Sequence, residues 1–392
     1  MMKTTRCYVP ACLLLIFVFL NPQIANSQIS LDSTLEPYLS EYDLPAIAAA
    51  VVVRGQIVSY GAVGTRKADS DIPVTVNDRF HLGSDTKAMT ALLVAMTVEE
   101  GKVNWNSTIE EMFPKLADKM DPQVRKVTLK QLLSHTSGMP ADNQDFMNLL
   151  KESFDQEGNL DDLRYWMVDE WCKRPLVTKS GTKFAYSNMG YTIIGSMLER
   201  VSGKTWEELV TERIFEPFGL ETAGFGCQST PGKIDAPLGH SIKDGKAKGY
   251  LAGPNGDSPP LVGPAGTVHM SVLDFAQWAG WNAANGMRPP CCLVKPENVA
   301  KLHTPVFTVA QRKDAKPGTP PPGKYAMGWG EVEVEWAPYP VIYHGGSNGL
   351  NLAHAWLDKK RDIAIVTLTN IGGKKADEAL RKLAGELYKS LE

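Results

Sequence analysis

The chain carries strand-forming runs near both of its ends, and a block of helical patterns separates them. Residues 46–53 and 56–63 are rich in small and β-branched side chains. Arg54-Gly55 between them is typical of a turn, so these segments predict a β-hairpin. Further strands are predicted near the C-terminus, at residues 325–336, 341–344, 352–357 and 363–369. This arrangement predicts one antiparallel sheet assembled from the two ends of the chain.

Helical patterns account for most of the remaining sequence. The clearest helix is predicted over residues 84–100, where apolar side chains recur at helical spacing until Gly101 ends the pattern. Other helices are predicted at residues 31–42, 128–133, 160–171, 191–201, 206–215, 271–284 and 374–391. We therefore predict an α/β (α+β) fold, with an antiparallel sheet flanked by helices. Its sheet domain comprises residues 28–101 and 262–392, and a mostly helical domain comprises residues 102–261.

The first 27 residues have the pattern of a secretory signal peptide. Lys3 and Arg6 supply positive charge, residues 13–20 are apolar, and Ala25-Asn26-Ser27 matches a small-x-small cleavage site. The apolar run is far shorter than the ~20 residues that a membrane-spanning helix needs. We expect cleavage after Ser27, no stable membrane span, and a secreted or periplasmic protein.

Composition narrows the class of function. Hydrophobic residues make up 43% and charged residues 22% of 392 residues, as in soluble globular proteins, and a net charge of −3 gives no basic footprint for nucleic acid. Four cysteines remain after the predicted cleavage: Cys172, Cys227, Cys291 and Cys292. Export permits disulfides, and the pairing stays open because four cysteines allow three full connectivities.

The motif Ser84-Asp85-Thr86-Lys87 opens the clearest predicted helix. Residues i and i+3 of a helix lie on one face, so the Lys87 amine can reach the Ser84 hydroxyl. A serine needs an adjacent base to act as a nucleophile near neutral pH. The helix N-terminus also places backbone N–H groups around Ser84, where they can bind an oxyanion. The motif by itself is common by chance, so it needs partners elsewhere in the chain.

Two further motifs supply such partners. In Tyr186-Ser187-Asn188, a tyrosine near a lysine can act as an acid or base, and Asn188 can bind both the lysine and a substrate amide. His344-Gly345-Gly346 follows a predicted strand and precedes Ser347. The two glycines let a substrate lie against the backbone, and the Ser347 N–H can be a second oxyanion donor.

In order and spacing, these motifs resemble those of the class C β-lactamase-related serine hydrolases, a penicillin-binding-protein-like family of esterases, D-amino-acid peptidases and β-lactamases. Residues 127–140, 214–220, 264–266 and 325–329 extend the resemblance over most of residues 30–370. It implies an acyl-enzyme formed on Ser84, with Lys87 and Tyr186 sharing proton transfer. The oxyanion hole would comprise the Ser84 and Ser347 N–H groups, and Asn188, His344, Gly345 and Gly346 would bind the substrate. It implies no metal and no organic cofactor.

The sequence departs from the β-lactamase pattern at His344, where those enzymes have a lysine that helps to hold the substrate carboxylate. A histidine is mostly neutral near pH 7 and is a weaker partner for an anion. We therefore expect a small carboxylic ester as substrate. The alternatives are a D-amino-acid amidase or a DD-peptidase acting on peptidoglycan peptides, and a weak β-lactamase or slow-acylating penicillin sensor. The sequence predicts no oligomeric state.

Other hydrolase types fit the sequence less well. Residues 345–349 match the G-x-S-x-G pattern of α/β-hydrolases, but no acidic residue lies between Ser347 and His354, the only later histidine. The seven histidines show no H-x-x-x-H or H-E-x-x-H spacing, which argues against a zinc hydrolase. We interpret His135 as a structural hydrogen-bonding residue in a turn.

Overall fold

The computed structural model describes residues 28–253, 256–291, 293–310, 316–319 and 321–391. The predicted signal peptide and Cys292 lie outside these residues. Strands of the described chain are β1 Ile29–Ser30, β2 Ala46–Val53, β3 Gln56–Gly64, β4 Phe80–His81, β5 Gly224–Phe225, β6 Gly239–Lys243, β7 Lys246–Tyr250, β8 Val268–Met270, β9 Phe307–Val309, β10 Gly323–Tyr325, β11 Gly330–Val332, β12 Val341–Ser347, β13 Leu352–Asp358 and β14 Ile363–Thr369.

The helices alternate with these strands and are concentrated between β4 and β5. They are α1 Asp32–Tyr42, α2 Thr86–Glu99, α3 Ile109–Met112, α4 Leu129–Leu133, α5 Gln144–Glu152, α6 Leu160–Trp171, α7 Asn188–Ser202, α8 Trp206–Val210, α9 Glu216–Phe218, α10 Gly263–Gly266, α11 Val272–Ala283, α12 Pro296–Leu302 and α13 Lys374–Lys389. No described helix is both long enough and apolar enough to cross a membrane.

The predicted sheet from the two chain ends is present. Nine strands follow the order β1-β3-β2-β14-β13-β12-β11-β10-β9. At the centre of the sheet, a strand from the N-terminal part of the chain pairs with one from the C-terminal part. Ile47 of β2 lies opposite Thr369 of β14 in this antiparallel pair. The edge strand β1 differs from the prediction, since it pairs with β3 in parallel.

Both faces of the sheet are covered, which explains the unbroken apolar run in β2. Ala48, Ala50 and Val52 face a core shared with α2 and α11. Ile47, Ala49 and Val51 face the opposite core, which α1 and α13 complete. A strand buried on both faces needs apolar side chains at every position rather than at alternate ones.

One predicted strand, residues 325–336, is instead two short strands. β10 ends at Tyr325, and β11 begins at Gly330. Between them a turn is closed by a hydrogen bond from Ala326 N to the Trp329 carbonyl. Gly328 adopts a φ of 79° in this turn, and a Cβ there would lie 3.0 Å from the Lys87 carbonyl oxygen. The strand breaks because the turn packs against α2.

The three described cysteines, Cys172, Cys227 and Cys291, are free thiols. Cys172 is buried and Cys291 is exposed. Burial raises the pKa of the Cys172 thiol to about 12, so this side chain is un-ionised at neutral pH.

Candidate active site

The site begins where the chain turns into α2. Residues Gly83–Asp85 form a single 3₁₀ turn, and the α-helix follows from Thr86. The Ser84 side chain is half-buried, whereas Lys87 is fully buried. The predicted contact between them is present, because Lys87 Nζ lies 3.0 Å from Ser84 Oγ.

Two further oxygens surround the Lys87 amine. Nζ donates to Asn188 Oδ1 at 2.7 Å and to the Ala265 carbonyl at 2.6 Å. Burial lowers the pKa of Lys87 to about 7, while the charges of Asp142 and Asp85 act in the opposite direction. An amine with this pKa is available in its neutral form near pH 7.

Tyr186 lies beside the same amine. Lys87 Nζ is 4.8 Å from the centre of the Tyr186 ring. The ring also packs against His135, with ring centres 4.2 Å apart. His135 has a φ of 56° and its Nδ1 accepts a hydrogen bond from Ser187 N. The prediction of a structural role for His135 is confirmed, since it holds the Tyr186-Ser187 segment against the site.

The glycines of the third motif let β12 approach the nucleophile closely. A Cβ on Gly346 would collide with the Leu82 carbonyl oxygen and would lie 2.6 Å from Ser84 N. A Cβ on Gly83 would collide with Ser347 N. The backbone nitrogens of Ser84 and Ser347 therefore lie close to each other, on either side of the contact between Gly83 and Gly346.

The His344 imidazole, which we predict to bind the substrate, is enclosed by protein atoms. The residue is fully buried, and Nε2 lies 3.2 Å from the Tyr325 hydroxyl. Burial, together with the nearby Lys87 charge, lowers the pKa of His344 to about 3. A neutral, enclosed imidazole offers no charge to a substrate carboxylate. Tyr343 and His344 point to opposite faces of the sheet. Tyr343 belongs to the core that α1 and α13 complete, so His344 lies on the face covered by α2, where its ring meets Trp329.

Comparison with known proteins agrees with this geometry. A family model described as Beta-lactamase matches residues 31–389. The chain belongs to the β-lactamase family. Among its curated relatives, Protein flp of Staphylococcus aureus (strain MW2) is 22% identical over 370 residues, which cover 91% of this chain. This chain spans 66% of the length of that protein. Penicillin-binding protein 4 of Amycolatopsis lactamdurans is 25% identical over 361 residues, covering 89% of this chain and 87% of its own.

Solved structures share the fold. The hydrolase EstCE1, described as having promiscuous acyltransferase activity, superposes with a TM-score of 0.71 at 17% identity, covering 89% of this chain and 96% of its own. A D-stereospecific amidohydrolase from Streptomyces sp. superposes with a TM-score of 0.66 at 19% identity, covering 89% of this chain and 98% of its own. At these identities the similarity shows the fold of this family member and not its substrate.

Sequence patterns missed one side chain of the site. Asp142 accepts hydrogen bonds from the backbone nitrogen of Asn188 at 2.9 Å and from its amide nitrogen at 2.5 Å. The amide nitrogen is therefore turned toward Asp142 and the amide oxygen toward Lys87. The amide nitrogen has two N–H groups, and Asp142 accepts one of them. The other would have to donate to a substrate amide for Asn188 to bind it as predicted. Asp142 lies in a loop with no periodic pattern, so no spacing pointed to it.

A buried ion pair holds the segment that presents the Ala265 carbonyl. Arg164 is fully buried, with Nη1 2.5 Å from Glu199 and Nη2 2.5 Å from Glu207. Its guanidinium also donates to the carbonyls of Pro260 and Leu261, just before α10. Residues 264–266 carried part of the family resemblance, but the role of this carbonyl was not predicted.

The described residues contain no cluster of metal ligands. No group of three or more His, Cys, Asp or Glu side chains there could hold a metal ion. A surface cavity of about 690 Å³, lined by Arg54, Arg288 and Arg361 among others, does not include Ser84.

Proposed function

We propose that this protein is a serine hydrolase that cleaves small carboxylic esters through an acyl-enzyme on Ser84. The observation that carries this proposal is the set of oxygens around Lys87 Nζ. A neutral amine has two N–H donors and one lone pair. The Asn188 and Ala265 oxygens accept both N–H groups, which directs the lone pair at the Ser84 hydroxyl 3.0 Å away.

In the proposed reaction, Lys87 takes the Ser84 proton while Oγ attacks the ester carbonyl. The Ser84 and Ser347 N–H groups stabilise the resulting oxyanion. The proton then passes to the departing alkoxide, and the acyl group stays on Ser84. Water attacks the acyl-enzyme in the second step, with Tyr186 beside Lys87 as the base. The products are a carboxylic acid and an alcohol, and the enzyme is regenerated.

Burial of His344 supports esters over substrates that carry a carboxylate. β-Lactams and peptidoglycan peptides present such a group, and the imidazole in the lysine position of the β-lactamase pattern is neutral and enclosed. The fold shared with EstCE1, a hydrolase described as having promiscuous acyltransferase activity, supports acyl-transfer chemistry in general and does not distinguish esters from amides. The amidohydrolase with the same fold makes a D-amino-acid amide the second candidate. We further propose that the chain is exported, on the sequence pattern of residues 1–27.

The test measures hydrolysis of p-nitrophenyl butyrate, D-alanine p-nitroanilide and nitrocefin by residues 28–392. The variants are Ser84→Ala and, as a matched control, Ser40→Ala. Ser40 is an exposed residue of α1, on the far side of the sheet. We expect ester turnover that is lost in Ser84→Ala and kept in Ser40→Ala. Faster cleavage of the anilide would favour the amidase, rapid nitrocefin loss would favour a β-lactamase, and ester turnover that survives Ser84→Ala would contradict the proposed nucleophile.

A further inference from the structure

A buried carboxylate connects the two segments that carry the proposed oxyanion donors. Asp257 belongs to the segment before α10, yet its side chain reaches both the turn before Ser84 and the turn after Ser347. The side chain is only 5% exposed, and that of its partner His81 is not exposed at all. Neither residue takes part in the acyl-transfer steps proposed above. Those steps therefore do not explain why this charge is buried beside the site.

The first connection runs through His81 to the nucleophile turn. His81 Nε2 lies 2.9 Å from one Asp257 oxygen and 3.0 Å from the other. On the opposite side of the ring, Nδ1 accepts a hydrogen bond from Gly83 N at 3.0 Å. A neutral imidazole carries one proton, so acceptance at Nδ1 requires that proton on Nε2, where it is donated to Asp257. The carboxylate thereby selects the tautomer that holds Gly83.

The second connection runs through Asn348 to the turn after β12. Asn348 Nδ2 donates to Asp257 Oδ1 at 3.0 Å. The amide oxygen of Asn348 accepts from the backbone nitrogens of Leu350 at 3.1 Å and Asn351 at 3.0 Å. Asp257 therefore orients the side chain that closes the turn immediately after Ser347.

Asp257 is held in its ionised form, which both connections need. Burial by itself would raise the pKa of Asp257, but His81 and the hydrogen bonds from Asn348 and Ser258 lower it below its usual value. As a carboxylate it has acceptors for both donors at once. An amide in its place would have one acceptor and would present N–H groups to the other partner.

We propose that Asp257 is a positioning residue that sets the spacing between the backbone N–H groups of Ser84 and Ser347. This inference rests on the proposed function. The two segments meet through Gly83 and Gly346, which bring no side chains to the contact. The distance between the two segments consequently depends on the other contacts that each segment makes, and Asp257 is linked to both of them, through His81 and through Asn348.

The test compares Asp257→Asn with the matched control Asp235→Asn. Asp235 is an exposed carboxylate that binds Thr230 and Arg79 and contacts neither connection. A butylboronic acid inhibitor forms a tetrahedral adduct with an active-site serine and so reports on the oxyanion donors. We expect Asp257→Asn to weaken boronate inhibition and kcat for p-nitrophenyl butyrate by about 10–100-fold, with KM changed less than about twofold. Asp235→Asn should match the wild type.

The expected pattern separates positioning from a general structural role. A lower melting temperature with kcat and boronate affinity unchanged would overturn the proposal, as would equal losses in both variants. If Asp257→Asn does not fold, Asn348→Ala removes the link from Asp257 to the turn after β12, together with the hydrogen bonds within that turn, and leaves the His81 link in place. It should lower kcat about 3–10-fold with KM unchanged, and an unchanged kcat there would also overturn the proposal. A wild-type protein whose Ser84 reacts neither with the boronate nor with a fluorophosphonate would instead refute the proposed function.

Discussion

Nδ1 of His344 lies 3.5 Å from Oδ1 of Asp85, on the buried side of the nucleophile turn. Both residues are almost fully enclosed, with Asp85 only 2% exposed. Burial raises the pKa of Asp85 well above its usual value, and Lys87 only partly offsets this effect. This carboxyl group therefore keeps its proton to a higher pH in the folded protein than in the unfolded chain, which releases it near pH 4.

This proton makes folding stability fall as the pH rises. A raised folded-state pKa contributes stability below the unfolded pKa of about 4, and that stability is lost as the pH passes through the folded-state pKa. Asp85→Asn keeps the shape of the side chain and removes the charge. We expect the urea midpoint to decline less between pH 5 and pH 9 in Asp85→Asn than in the wild type. Identical declines would show that Asp85 is not the buried acid described.

Asp377 should have the opposite effect on stability. Burial alone would raise its pKa, but the hydrogen bond from His354 Nε2 at 3.0 Å and the Arg381 guanidinium at 2.9 Å hold the pKa below its usual value. A lowered folded-state pKa contributes stability above about pH 4 that is lost as the pH falls. The urea midpoint of Asp377→Asn should be lower than that of the wild type at pH 7 and should change less from pH 6 to pH 3. Parallel curves would contradict this.

Asp142 should influence the reaction through Asn188 and Lys87. Asp142→Asn leaves one acceptor for the two Asn188 nitrogens and removes a negative charge that raises the pKa of Lys87. We expect kcat/KM for the ester to fall about tenfold. The acidic limb of its pH profile should move to lower pH, because the Lys87 amine then loses its proton more easily. Asp145→Asn, on the exposed first turn of α5, is the control and should leave the profile in place.

The contact between β12 and the nucleophile turn should tolerate no side chain. Gly346→Ala places a methyl group against the Leu82 carbonyl and Ser84 N. Because β12 lies inside a nine-stranded sheet, we expect the protein to fold while kcat falls at least about 100-fold. Circular dichroism and ester kinetics together check this. Gly349→Ala has nothing within 4 Å of its Cβ but has a φ of 88°, so it should lose some stability and little activity.

The Arg164 ion pair should be needed for stability as well as for the Ala265 carbonyl. Arg164→Met leaves Glu199, which is also buried, without its cation. We expect a loss of about 3–5 kcal/mol in the free energy of unfolding, measured by urea titration. Arg200→Met removes a half-exposed pair with Asp161 and should cost less than about 1 kcal/mol. Equal losses in the two variants would show that burial does not decide the effect.

The sequence determined those features that depend on neighbours along the chain. The strands at residues 46–53 and 363–369 have the bounds that their composition predicts, because a strand covered on both faces is a nearly continuous run of apolar and β-branched residues. The Ser84–Lys87 contact follows from a spacing of three residues within one helical turn, which holds whatever surrounds the helix.

Tertiary structure alone decided which distant groups complete the site. Asp142 and Asp257 lie in loops, and the Ala265 carbonyl lies in the single-turn helix α10. No period in the sequence relates these groups to their partners, which are 46 or more positions away. The burial of His344 could not be predicted either, because a motif gives the position of a residue in the sequence of a strand and not the elements that pack over it. Local geometry follows from short-range backbone sterics, whereas these contacts depend on how helices and loops pack over the sheet.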